Sequence, residues 1–258
     1  MDLGLDGKHA LVLGASRGLG AAIARVLAVE GARVTAAART VDDTRAWIAA
    51  LPGDIAARVT PLALDMSRRP QIDQGVAAIG AVDILVNNGG GPPPGGAADH
   101  TPETWIAQFE AMAANLFHLT QLVLPAMRER RWGRIITVSS SGVVQPIPNL
   151  ALSNGVRAAV VGWSKSLATE VAAQGITVNV VLPGRIHTAR VDQLDAVAAK
   201  KQGREVDEVA RASMATIPAG RYGRPEEFAD AVAFLASTRA SYITGATIRI
   251  DGGMIRAT

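Results

Sequence analysis

The apolar run HALVL, residues 9–13, is followed at once by GASRGLG, residues 14–20. Gly14, Gly18 and Gly20 stand at the spacing G-x-x-x-G-x-G, between a segment that reads as a strand and one that reads as a helix. Glycines allow a tight turn and a close backbone approach to phosphate. The start of a helix adds free N–H groups and the positive end of its dipole. With Ser16, Arg17 and Leu19 filling the loop, the chemistry on offer is the binding of a dinucleotide pyrophosphate. A purely structural turn is the plainer alternative. The position at the first strand-to-helix junction favours the phosphate.

The second apolar run closes as TAAART. A dinucleotide fold that selects NAD places an acid here, about 20 residues past the loop, to bind the ribose 2′-hydroxyl. This chain has Ala38 and then Arg39, with Arg17 inside the loop. Two guanidinium groups and no carboxylate suit a 2′-phosphate, so NADP(H) is expected over NAD(H).

These residues need a scaffold. Strands are expected at 9–13, 33–37, 59–64, 84–86, 134–139, 177–182 and 247–250. Helices are expected near 18–30, 42–50, 69–78, 102–130, 153–173 and 225–236. Continuous Val/Ile/Leu runs that alternate with helical patterns point to buried parallel strands joined by helices. The fold expected is α/β: one Rossmann-like, doubly wound parallel sheet of about seven strands with helices on both faces, as a single domain over 1–258. GGGPPPGG, residues 89–96, must be loop. Residues 186–217 are polar and interrupted, and read as a helical insertion or lid over a site.

Composition agrees with a globular enzyme-sized domain. The 258 residues are 48% apolar and 19% charged, with a net charge of +3. The basic cluster Arg128–Arg131 reads as a solvated helix end, so no nucleic-acid partner is expected. The chain has no cysteine, which removes disulfide frameworks and thiolate metal sites, and no metal is expected. No apolar run approaches the ~20 residues that span a bilayer. A soluble cytoplasmic protein with no membrane partner is the expectation.

At this point the residues resemble the short-chain dehydrogenase/reductase family over nearly the whole chain. Besides GASRGLG there is Asp65, where the family contacts adenine. VNNGG is similar to the family's Asn-Asn-Ala-Gly, giving Asn87 and putting Gly89 in place of Ala. WGRIITVSSSG resembles the strand that delivers the family's serine. GITVNVVLPGRIHT resembles the turn over the nicotinamide, which would set Pro183, Gly184, Ile186 and Thr188 against it. Residues 220–253 are similar to the family's C-terminal segment. Within the family the sequence looks like the 3-oxoacyl-carrier-protein reductases and their relatives. Gly14, Asn87, Ser140 and Pro183 all follow strand ends and should converge on one crevice.

The resemblance implies carbonyl reduction by hydride transfer, with a Tyr as proton donor, a Lys four residues on, a Ser that orients the carbonyl and an Asn that holds a relay water. Ser140 matches the serine, thirteen positions before Ser153. Ser153 stands in the tyrosine's place and Arg157 in the lysine's, on one face of a helix. A serine hydroxyl is a far weaker acid than a phenol. Arg stays charged and cannot store a proton. Met112 falls where the asparagine should be, with Asn115 a turn further on, either a partial substitute or a bridge between helices. Tyr222 and Tyr242 do not match the family's position and read as packing residues. His187, beside the Pro-Gly turn, is a candidate acid because an imidazole can donate a proton at neutral pH.

The catalytic candidates are therefore Ser140, Ser153, Arg157 and His187. The first reading is an NADP(H)-dependent oxidoreductase, reducing a carbonyl or 3-oxoacyl group, whose proton comes from His187 or from water held by Ser140 and Ser153 while Arg157 stabilises the oxyanion. The alternative is a catalytically impaired nucleotide-binding homologue, acting as sensor or partner subunit. A third, non-redox chemistry at the same crevice has no positive sign. For Ser153 and Arg157 the bland reading is a helix cap and a structural hydrogen-bonder. Arg185 and His187 hint at an anionic or carrier-linked substrate. The family's habit implies a homotetramer or homodimer, packed through the two long helices, with Leu116, Leu119 and Trp163 as contact candidates.

Overall fold

Strand β1 (His9–Leu13) is buried along its whole length because strands pair with both of its edges. On one side lie β2 (Arg33–Ala38) and then β3 (Val59–Ala63). On the other lie β4 (Ile84–Asn87), β5 (Gly133–Val138), β6 (Ile176–Pro183) and the edge strand β7 (Thr247–Ile250). All seven are parallel, in the order β3-β2-β1-β4-β5-β6-β7. The computed structural model describes residues 1–256. The chain winds outward from β1 to β3 and then crosses to β4, so the strand order reverses between β1 and β4. In open α/β sheets ligands bind at the carboxyl ends beside this switch point.

The connections are α1 (Gly18–Val29), α2 (Asp42–Ala49), the single turn α3 (Gly53–Ala56), α4 (Arg69–Ile79), α5 (Pro102–Phe109) and α6 (Asn115–Arg130). They are followed by α7 (Ala151–Val171), α8 (Ala189–Gln202), α9 (Val206–Ala215) and α10 (Pro225–Ala236). Side chains alternate across each strand. Ala10 and Val12 of β1 join Ile23 and Leu27 of α1 and Phe228 and Val232 of α10 on one face. Leu11 and Leu13 join Ile72 of α4, Val123 and Met127 of α6, and Leu167 and Val171 of α7 on the other. This is the sheet with two covered faces that the sequence implied.

The departures are local. The helix expected over 102–130 is divided by a π turn at Glu110–Ala114, which separates α5 from α6. The turn α3 carries no apolar period and was not anticipated. Helix α7 begins two residues before Ser153, with Leu150 as its cap residue. Ser153 is therefore inside the first turn and is not the cap considered for it. Leu119 is fully buried in the core and cannot contact a partner. Tyr242, expected to pack, is fully exposed. The basic cluster is engaged with the protein itself: Arg130 pairs with Asp83 at 3.0 Å, and Arg128 and Arg131 donate to Gln174 and the Ala173 carbonyl. Residues 186–217 hold the two helices α8 and α9.

Candidate functional site

The glycine loop leaves β1 in a conformation that few side chains adopt. Gly14 has φ +62° and Gly18 φ +57°. A Cβ on Gly14 would lie 2.8 Å from the Asn88 amide nitrogen, and one on Gly20 only 2.2 Å from the Gly14 carbonyl oxygen. The loop is pinned on both sides. Asn88 Nδ2 donates to the Leu13 carbonyl at 3.1 Å, Ala15 N–H to Ala37, and Trp47 Nε1 to the Ala15 carbonyl at 2.9 Å. Arg17 is the cap residue of α1 and no side chain caps this terminus. Its first N–H groups are thus left for an anion.

Beyond β2 the wall of the crevice is Arg39, and beyond β3 it is Asp65. Asp65 Oδ1 accepts from the Ser67 N–H at 2.9 Å and the Ser67 hydroxyl at 2.8 Å. These bonds, with the charges of Arg39 and Arg68 behind them, hold its carboxyl below the usual carboxylate range. Its other oxygen, Oδ2, lies 3.9 Å from Arg68 Nε.

The floor lies at the ends of β4 and β5. Asn87 is 1% exposed; its Nδ2 reaches Thr137 Oγ1 at 3.4 Å, and its Oδ1 has no partner. Ser139 Oγ is likewise buried and without a partner. Above them Gly89, Gly90 and Gly91 have nothing within 4 Å of where a Cβ would stand. The space is a cavity of about 300 Å³, bounded also by Gln108, Met112 and Leu116 from the π-turn region and by Arg157. An orphaned acceptor and an open glycine floor beside a phosphate-ready helix terminus are what a dinucleotide needs from this end of the fold.

Arg157 closes the far wall. Its guanidinium donates from Nη1 to the carbonyls of Val138 (3.2 Å) and Ser139 (3.4 Å), and from Nη2 to those of Gly89 and Gly90 (3.4 Å each). Among the described residues it has no carboxylate partner, and burial pushes its pKa down from the ordinary guanidinium value. One cation thus staples the ends of β4 and β5. Ser140 caps the short turn Ser141–Val143; its Oγ accepts from the Gly142 N–H at 3.1 Å, which leaves its own proton to donate. Ser153 is 8% exposed on the inward side of α7. Met112 lines the cavity, whereas Asn115 is spent elsewhere: it accepts from Arg69 and donates to the Met66 carbonyl at 2.8 Å. It is the bridging residue.

The turn after β6 folds over this end of the sheet. The Gly184 N–H donates to the Ile250 carbonyl, and a Cβ there would stand 2.6 Å from Asp251 Cα. Ile186 is 5% exposed, and the Thr188 methyl lies 3.8 Å from the position of a Cβ on Gly18. Thr188 therefore comes up against the glycine loop, while Pro183 and Gly184 lie at the end of β6 beside Ile250 and Ile186 packs into the core. His187 points away from the core: its ring is largely exposed and Nε2 lies 3.1 Å from Asp192 Oδ1. Arg185, suggested as an anion hook, is committed to Asp195 at 3.0 Å. Of the residues expected in the site, the cavity wall holds Arg39, Asp65, Asn87, Gly89 and Arg157; the glycine loop from Gly14 to Gly20, the turn residues Pro183, Gly184, Ile186 and Thr188, and Ser140, Ser153 and His187 lie outside it. Tyr222, expected only to pack, donates its hydroxyl proton to Asp195 Oδ2 at 2.7 Å, a contact the sequence did not reveal because the two meet only after α8 folds back.

A family model described as enoyl-(acyl carrier protein) reductase matches residues 14–255. The chain is 41% identical to the 3-oxoacyl-(acyl-carrier-protein) reductase of Vibrio cholerae over 98% of this chain and 99% of that protein. Among solved structures it is similar to the L-sorbose reductase from Gluconobacter frateurii complexed with NADPH and L-sorbose, with a TM-score of 0.93 and 33% identity over the full length of both chains. It is also similar to YwfH, an NADPH dependent reductase involved in bacilysin biosynthesis, with a TM-score of 0.89 and 30% identity over 97% of this chain and 99% of that one. The match runs through the glycine loop, the Asn-Asn-Gly floor and the turn after β6 alike, and the chain belongs to the short-chain dehydrogenase/reductase family.

Proposed function

We propose that this protein is an NADP(H)-dependent oxidoreductase that reduces a carbonyl, with 3-oxoacyl compounds as the leading substrate class, through an altered proton route. The observation that carries the cofactor assignment is the crevice itself. Arg39 rather than an acid follows β2, Asn87 with its unpartnered Oδ1 borders the cavity, and the glycine floor is open. The loop Gly14–Gly20 and the start of α1 would hold the pyrophosphate, Arg17 and Arg39 a 2′-phosphate, Asp65 the adenine, and Pro183, Gly184, Ile186 and Thr188 the nicotinamide half. The relatives whose descriptions name NADPH support the same choice. Bound there, the cofactor supplies hydride.

The protein's share is the proton and the oxyanion. Ser140 keeps its proton for the carbonyl oxygen because Gly142 already donates to its Oγ. Ser153, inside the first turn of α7, supplies a second hydroxyl, and a water between the two delivers the proton that a phenol would have carried. Arg157 sets the positive potential of the site and rigidifies the two strand ends from which Ser140 and Gly89 project. His187 is the other proton source, held by Asp192 at the rim.

One observation favours the second reading, an impaired nucleotide-binding homologue: among the described residues, the cavity wall has no His, Tyr or Lys. The two are separated by following NADPH oxidation with a panel of 3-oxoacyl thioesters, ketoses and simple ketones. Turnover abolished by Ser140→Ala supports the reductase; tight NADPH binding with no turnover of any member supports the homologue. The setting proposed is cytoplasmic, without membrane or nucleic-acid partners, as a homodimer or homotetramer. Exposed Ile106, Phe109 and Leu122 around the stacked Phe117–Trp163 pair support a helical interface.

A further inference from the structure

Residues 183–223 leave the sheet after β6, pass through α8 and α9, and return along the outgoing segment. Ile186 and Gly223 form a parallel bridge; the His187 N–H donates to the Gly223 carbonyl at 2.8 Å, and the Gly223 N–H to the Arg185 carbonyl at 3.0 Å. Against this neck lies Asp195 of α8. It is 4% exposed, the only acidic residue so deeply buried among the described residues. A carboxylate taken out of water is tolerated only when its oxygens are paired. Here the two partners come from the two sides of the neck: Arg185 Nη1 reaches Oδ1 at 3.0 Å and the Tyr222 hydroxyl donates to Oδ2 at 2.7 Å. Burial and the Asp195 charge both raise the pKa of the Tyr222 phenol, so it stays protonated and remains a donor. The returning segment is fixed again by Arg221, which donates from Nη1 and Nη2 to the two oxygens of Glu227 at 2.8 and 2.7 Å.

The neck also carries Thr188, whose methyl lies 3.8 Å from the position of a Cβ on Gly18 in the glycine loop, and the buried Ile186. We propose that Asp195 is a positioning residue: with Arg185 and Tyr222 it latches the α8–α9 lid to the strand ends and so sets Ile186 and Thr188 against the cofactor. This rests on the assignment of the crevice to NADP(H). It also explains why Arg185, beside the crevice, is not free to hold a substrate anion.

The test uses the full chain, as wild type, Asp195→Asn, Tyr222→Phe and the double variant. Trypsin acts on the cofactor-free protein at the exposed lid residues Lys200, Lys201 and Arg204. Asp195→Asn should speed that cleavage about tenfold, because local opening is governed by the contacts that close the segment. The NADPH dissociation constant should rise about tenfold, with the thermal midpoint little changed and the double variant no worse than Asp195→Asn, since both act on one network. Tyr222→Phe alone should give about threefold in each, and it carries the test if Asp195→Asn does not fold. Cleavage at the wild-type rate overturns the latch. Faster cleavage with unchanged NADPH binding overturns its positioning role, as do effects that multiply in the double variant. Failure of the wild type to bind NADPH would count against the cofactor assignment, while the cleavage arm still judges the latch.

Discussion

Arg39 offers the sharpest prediction. It follows β2, borders the crevice and is exposed, with Asp65 as its near neighbour across the wall. A charge-assisted bond from guanidinium to phosphate contributes ~1.5–3 kcal/mol. Exposure to solvent moves Arg39 to the lower end, because screened surface pairs are worth ~0–1 kcal/mol. Arg39→Ala should therefore cost about 1–2 kcal/mol of NADPH affinity, a factor of ~5–30. NADH, which has no 2′-phosphate, should lose nothing. Arg39→Asp should weaken NADPH further by repulsion and restore an acceptor for a 2′-hydroxyl, so that the preference between the two cofactors inverts. Calorimetric titration with each cofactor at two salt concentrations is the assay. The NADPH penalty should shrink at high salt, where the screening length falls to ~3 Å. An equal loss for NADPH and NADH, or no loss for either, would refute the assignment, since it would mean that Arg39 does not meet the one group that distinguishes them.

Other outcomes follow from the same geometry. Arg157→Ala should remove the staple from four carbonyls; water entering the cavity replaces part of it, so stability should fall by about 1–2 kcal/mol while carbonyl turnover falls ~10²-fold. Unchanged turnover in that variant would sink its electrostatic role. Gly20→Ala puts a methyl 2.2 Å from the Gly14 carbonyl oxygen, so the loop must shift, with a stability loss of ~1–3 kcal/mol and abolished cofactor binding by fluorescence titration. His9 is buried between the Ala81 carbonyl and Thr35 Oγ1, and burial lowers its pKa from 6.5. The folded form then binds its proton less readily than the unfolded chain, so this contribution is intact above about pH 6.5 and is lost as pH falls through the folded value. Denaturant midpoints measured from pH 7.5 to 5 should drop more steeply for the wild type than for His9→Gln; parallel curves would exclude His9 as the cause.

Much of the fold is local in origin and was readable for that reason. Continuous apolar runs such as HALVL can only be strands buried on both faces, and every expected strand is present to within a residue or two. The glycine loop was readable because its steric demands are written in three residues, of which Gly14 and Gly18 do take positive φ. The π turn at Glu110–Ala114 was not, since the apolar period runs on through it and one shifted hydrogen-bond register leaves no mark on composition.

Residue types and spacing alone established the parallel α/β sheet, the glycine loop between its first strand and helix, and the cation in place of an acid after β2. That Ser153 and Arg157 stand where the family has a phenol and an amine is what the resemblance implies; where the Arg157 side chain goes was decided by packing. The sequence could put Arg157 on the same helix face as Ser153. Only the arrival of the β4 and β5 ends beneath α7 shows the guanidinium held by four carbonyls rather than by an acid. In the same way Asp195 and Tyr222 are 27 positions apart and join only when the segment after α9 folds back on α8. Short-range sterics and periodicity act within a few residues and survive in a one-dimensional reading. The partner of a buried charge depends on which distant segments meet, and that is decided when the tertiary structure closes.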